Sequence, residues 1–190
     1  MSAFDEKPLL TPATLQEWIG YLEGTPDPGG VRVRLRKKRA AVPGITYDEA
    51  LDVALCFGWI DGQIKGLDEQ YHLQLFTPRR RGSMWSQRNR EYIERLTAAG
   101  LMREQGLAEV EAAKADGRWD AAYRTKDAPV PPELQAALDA NPAAAAFFAT
   151  LTGVNRWSFI FPILTLKRPE SRTRRAAEYA ALLEQGRTLG

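Results

Sequence analysis

The chain has 190 residues, 44% hydrophobic and 26% charged, which fits a globular core and excludes a disordered, fibrous or membrane-embedded class. A net charge of +2 gives no global attraction to nucleic acid, and the one cysteine, Cys56, excludes an intramolecular disulfide. The opening MSAFDEKPLL lacks a basic region followed by a long apolar run, and the apolar stretch from Trp157 to Leu166 is shorter than the roughly 20 residues that span a bilayer. A cytoplasmic chain without membrane insertion is the expectation.

In chain order, Thr11 and Pro12 read as the N-cap and first position of a helix carrying Leu15, Trp18, Ile19 and Leu22. The loop TPDPGG stops it, and VRVRLRKK follows. Val31, Val33 and Leu35 alternate there with Arg32, Arg34 and Arg36, so a strand puts one row on the core and a row of guanidinium groups outward. Thr46 and Glu49 form a capping-box signature for a strongly apolar helix that ends near Gly58. Two short strand-like runs, near Gly62 to Lys65 and Tyr71 to Phe76, are joined by the turn-prone GLDEQ.

Helices dominate after Pro78. One starts near Ser86 and runs to Gly100, and a second covers about Glu104 to Ala115 before Asp116-Gly117. TKDAPVPPE reads as a linker. Beyond it come a helical pair, Pro132 to Ala140 and Pro142 to Leu151 with Asn141 as N-cap, then Asn155 to Leu166 around Pro162, then a last helix from Pro169 to Gly186. The expected fold is α+β: a small antiparallel sheet of about three strands in the N-terminal half, packed against a predominantly helical remainder. The expected regions are 1–125, an α+β core, and 126–190, helical and packed on the same domain.

A single His and a single Cys are too few for a zinc site, and no loop pattern supports magnesium at Asp61 and Asp68, so neither metal nor cofactor is expected. Cys56 lies in an apolar helix, where a thiol is ordinarily an inert small hydrophobe. His72 alternates with Tyr71, Leu73 and Leu75, which places it on the more polar face of its strand, open to solvent or a ligand. The strongest polar cluster is FTPRRRGSMWSQRNR. It sets Arg79, Arg80 and Arg81 before Ser83, Trp85, Ser86 and Asn89 at the mouth of a helix, a donor set suited to carboxylate or phosphate. The competing reading has the serines capping, Trp85 packing on the sheet and the arginines solvated. Asp61 is either a general base, a partner for Arg79 or Arg80 in a buried bridge, or a helix-terminating turn residue. Basic runs at Arg32–Arg39 and Lys167–Arg175 lack the spacing of a nucleic-acid-binding motif.

Taken together, the helix with Trp18, the basic strand ending in Lys37-Lys38, YDEALDVALCFGWIDG, FTPRRRGSMWSQRN, a GLM turn and AKADGRW resemble the YdeI/OmpD-associated family, also called bacteriocin-protection proteins. The resemblance runs from about Leu9 to Tyr123, with a looser match over KRPESRTRRAAEYAALLEQG; GVNRWSFIFPILTLKRPES departs from the family's more polar helix. It implies a role in tolerance of bacteriocins, cationic antimicrobial peptides or envelope stress, and a protein partner linked to the envelope. Matching positions nominate Trp59, Asp61, Gly62, Pro78, Arg79, Arg80, Ser83, Trp85, Ser86 and Asn89 as a candidate site, joined by His72 from its strand position. Three functions stand open. The favoured one is a non-enzymatic binding or interaction protein with a small anionic ligand; the others are an enzyme working through an Asp61/Arg79/Arg80 cleft and a nucleic-acid binder.

Overall fold

The computed structural model describes residues 2–124 and 128–189, which form two compact units, Met1–Ala122 and Tyr123–Gly190. The fold is α+β, with a four-stranded sheet in the first unit and eight helices among the described residues. The expected boundary between 125 and 126 and the start of TKDAPVPPE lie outside the described residues.

The first unit runs β1 (Leu9–Leu10), α1 (Leu15–Glu23), β2 (Val31–Arg36), α2 (Tyr47–Cys56), β3 (Trp59–Gly66), β4 (Tyr71–Pro78), α3 (Gln87–Ala98) and α4 (Glu104–Ala115). The strand order is β1-β2-β4-β3. Thus the sheet has four strands rather than three, and it is mixed, because β1 pairs parallel with β2. Two residues are too short to display a period, which is why β1 leaves no signature in the sequence. The first helix is capped by Thr14 rather than Thr11. Thr14 Oγ1 accepts from Glu17 N at 3.3 Å while the Glu17 carboxylate accepts from Ala13 N at 3.0 Å, a reciprocal cap that Thr11-Pro12 cannot form. The expected capping box at Thr46 and Glu49 is present.

α2 is the hub of this unit. It packs on α1, α3, α4 and β3, burying Ala50, Leu51, Ala54, Leu55 and Cys56. Trp18, fully buried, donates from Nε1 to Ala50 O at 3.0 Å and so ties α1 to α2 by a polar bond within the core. At the other end of α2, Gly106 lets α4 approach: a Cβ there would sit 2.2 Å from Cys56 O, which also accepts from Arg103 N at 3.1 Å.

Register decides which strand face is the core. Directly opposed residues of an antiparallel pair share a face, and Val31, Val33 and Leu35 oppose Phe76, Gln74 and His72. His72 therefore lies on the buried side with Leu35, not on an open polar side as its own strand suggests. Leu73 and Leu75 face the other way, opposite Arg34 and Arg32. β3 starts at Trp59, three residues before the expected run, and bulges between Asp61 and Ile64. The buried Gln74 amide fills the bulge, donating from Nε2 to Gly62 O at 2.9 Å and Gln63 O at 3.3 Å.

The second unit holds α5 (Pro132–Asp139), α6 (Pro142–Thr150), α7 (Gly153–Thr165) and α8 (Pro169–Glu184), with α8 packed on the other three. Asn141 caps α6 as expected, accepting from Ala144 N at 3.1 Å. Leu134, Phe159, Ile160, Ile163 and Leu183 are fully buried at its centre, and Phe159 meets Tyr179 edge-on with ring centroids 5.2 Å apart.

Candidate functional site

Asp61 lies two residues into β3, opposite Phe76 and hence on the helix-facing side of the sheet. It does not end a helix, and its carboxylate is engaged by a tyrosine. α2 ends at Cys56 with Gly58 in the left-handed region (φ 74°), and the Asp61 carboxylate accepts from Tyr47 Oη at 2.8 Å. Burial and the Asp61 charge both push the Tyr47 phenol well above its ordinary pKa, so it stays a proton donor. Arg88, from the first turn of α3, completes the group. Its Nε and Nη2 donate to Tyr92 Oη at 3.2 and 2.9 Å, and its Cζ lies 5.7 Å from the Tyr47 ring centre and 5.2 Å from that of Tyr92.

The arginine segment forms a second group. Arg79 is buried, its Cζ 3.6 Å from the Trp85 ring centre and its Nη1 donating to Met84 O at 3.4 Å. Trp85, also buried, meets Trp119 edge-on at 5.0 Å. Arg90 lies 5.0 Å over Trp119 and donates from Nη1 to Trp119 O at 2.9 Å, while Arg118 donates from Nη1 to Ser83 O at 2.9 Å. Among the described residues, Trp85 Nε1 and Arg90 Nε are buried here without an acceptor. Against these cations stands Asp116, whose carboxyl Arg118 and, more weakly, Arg81 hold below the usual carboxylate range.

The serines have local tasks. Ser83 Oγ accepts from Arg80 N at 3.1 Å, closing the turn that leaves Arg80 exposed. Ser86 caps α3 by accepting from Asn89 N at 3.1 Å, and Asn89 itself is buried. Trp59 is buried in the core. His72 is half-buried with Nε2 lacking a partner, and burial with the nearby Lys37 charge pushes its pKa down, so the imidazole is neutral at pH 7. The Cys56 thiol is pushed up to about 11, chiefly by burial, which removes the thiolate needed for nucleophilic chemistry. Among the described residues no group of three or more His, Cys, Asp or Glu could hold a metal ion, and no helix is long and apolar enough to cross a membrane.

The outward arginine row of β2 is engaged by the chain itself. Arg32 Nε donates to Lys7 O, Arg36 Nε donates to Gly44 O, and Arg34 lies 4.6 Å over the Tyr71 ring. Sequence reasoning missed Tyr47, Arg88, Tyr92, Arg90, Arg118 and Trp119. Only Arg88 and Tyr92, four apart in one predicted helix, left a local signal. The rest meet through tertiary packing.

These features define an α+β protein with two cation-rich polar groups on one sheet-and-helix unit. The chain belongs to the family described as Domain of unknown function (DUF8412), whose model matches residues 10–109. Residues 127–186 match the family described as Bacteriocin-protection, YdeI or OmpD-Associated. The match to the family expected from the sequence therefore covers the segment where the resemblance was looser, and every nominated site residue falls within the other match. No curated protein and no solved structure matches the chain.

Proposed function

We propose that the chain is a non-enzymatic binding protein acting in tolerance of antimicrobial peptides or envelope stress, with an anion-binding site at the Arg79–Trp85–Trp119–Arg90 group. The physiological role rests on the match of residues 127–186 to bacteriocin-protection proteins. The anion site rests on one observation: Trp85 Nε1 and Arg90 Nε are buried donors without acceptors, set among guanidinium groups. A buried unpaired donor costs about 1–3 kcal/mol, and a bound carboxylate or phosphate oxygen removes that penalty. The binding reading is favoured over an enzyme working through an Asp61/Arg79/Arg80 cleft because the Asp61 carboxylate accepts from the Tyr47 hydroxyl.

Inorganic phosphate titrated at constant ionic strength tests the site. The expected result is a rise in melting temperature beyond that of chloride, lost in the R90M/R118M double variant. Equal responses to phosphate and chloride in the wild type would remove the anion site. The physiological role is tested separately: cells lacking the gene should become more sensitive to a cationic antimicrobial peptide, and unchanged sensitivity counts against it.

A further inference from the structure

The Tyr47–Asp61–Arg88–Tyr92 group is left with unused hydrogen-bonding capacity of both signs. Asp61 Oδ2 accepts from Tyr47, and its Oδ1 accepts no bond from the described residues. Tyr92 Oη accepts twice from Arg88, and its own O–H proton has no acceptor among the described residues. Arg88 places Nε and Nη2 on Tyr92, with Asp48 Oδ1 at 3.6 Å from Nη2, and its Nη1 donors make no bond to the described residues. One open carboxylate oxygen therefore lies in the same group as an open phenol proton and the open Nη1 of a guanidinium.

The cation is also held in place. Arg88 is more than half exposed along its side chain, yet its guanidinium lies over two tyrosine rings and bonds one hydroxyl with two nitrogens. A long side chain fixed in this way has lost much of its rotamer freedom before a ligand arrives, which raises affinity. The same Tyr47 side chain is gripped at its hydroxyl by Asp61 and flanked on its ring by Arg88, so both charges are tied to one rigid aromatic.

We infer that this group is a second binding site, for a small zwitterion: its ammonium is received by Asp61, and its carboxylate by Arg88 and the Tyr92 hydroxyl. Carboxylate on guanidinium with an added O–H donor is a charge-assisted pairing, and a primary ammonium supplies the donor that Asp61 Oδ1 lacks. This site shares no residue with the anion group at Trp85, and it stands or falls independently of the function proposed above.

The test titrates the full-length protein by calorimetry with glycine, β-alanine, γ-aminobutyrate and 5-aminovalerate, which vary the distance between the charges. Acetate and ethylammonium, alone and mixed, serve as single-charge controls. One zwitterion should bind at least tenfold more tightly than either control. D61N and R88M should each weaken it at least tenfold while keeping the wild-type far-UV spectrum, and Y92F should weaken it a few-fold. The inference is overturned if no zwitterion exceeds the controls, or if D61N and R88M bind like wild type. A variant that loses its far-UV spectrum is replaced by D61E or R88K. The shifted charge must then change which spacer length binds best, and an unchanged preference also overturns the site.

Discussion

The two units are built on different principles. In the first, polar groups are part of the core: Gln74, Arg79 and Asn89 are all buried there, and Trp18 bonds a helix carbonyl. The second is held by aliphatic and aromatic packing, with Leu134, Phe159, Ile160, Ile163 and Leu183 at its centre. Apolar cores tolerate adjustment at modest cost, whereas buried polar groups demand fixed partners. The first unit thus has a core that specifies positions, and both candidate sites are built on it. The match to bacteriocin-protection proteins lies on the other unit, so that likeness and the observed polar chemistry belong to different parts of the chain.

The contrast can be broken by substitutions in each core, followed with two probes. Four of the five tryptophans, Trp18, Trp59, Trp85 and Trp119, lie in the first unit, so fluorescence reports mainly on it, while far-UV circular dichroism reports helices of both. The largest effect expected is that of Phe159→Ala, about 3–5 kcal/mol, seen in the dichroism transition. Next is Gly106→Ala, about 3 kcal/mol in the fluorescence transition, because the added methyl meets Cys56 O and backbone must move. One added carbon in the first unit then rivals the loss of a whole ring in the second. A cost under about 1 kcal/mol for Gly106→Ala would mean the α2–α4 junction is soft. Third, Gln74→Leu should cost about 1–3 kcal/mol, since Gly62 O and Gln63 O lose their donor despite a gain in hydrophobicity. A neutral or stabilising result would show that the buried amide specifies nothing, and the contrast between the units would weaken.

Much of the second unit was legible in the sequence because amphipathic helices advertise themselves locally, through Asn141-Pro142 and the helical spacing of apolar residues. The first unit was legible in its elements and less so in its faces. β4 alone reads as Tyr71, Leu73 and Leu75 inward, and only its register with Val31, Val33 and Leu35 reverses this, burying Gln74 and Phe76 and turning His72 to the same side. Which residue answers Asp61 was equally hidden. Tyr47 is the first residue of α2 and 14 positions away, while Arg79 and Arg80 advertised charge but not direction. Conversely, the cap of α3 was narrowed by local sequence to Ser83 or Ser86, and the structure selects Ser86.

The smallest expected effect sharpens the comparison by a local polar device at the surface. Thr46 Oγ1 accepts from Glu49 N at 3.4 Å, and the Glu49 carboxylate accepts from Thr46 N at 2.7 Å. These bonds hold the Glu49 carboxyl below the usual range. A depressed folded pKa means that this contribution to stability is complete above the ordinary glutamate value of about 4.3 and is lost as pH falls through the lower folded value. Thr46→Ala should therefore cost about 1 kcal/mol at pH 7 and less below pH ~4, measured as the shift of the fluorescence-detected urea midpoint. If the penalty stays constant down to pH ~3, the Thr46 hydroxyl caps α2 without help from the Glu49 charge. A penalty that disappears entirely in acid would assign the cap to the carboxylate, and α2, which carries Tyr47, would then be anchored at its start by electrostatics rather than by the hydroxyl.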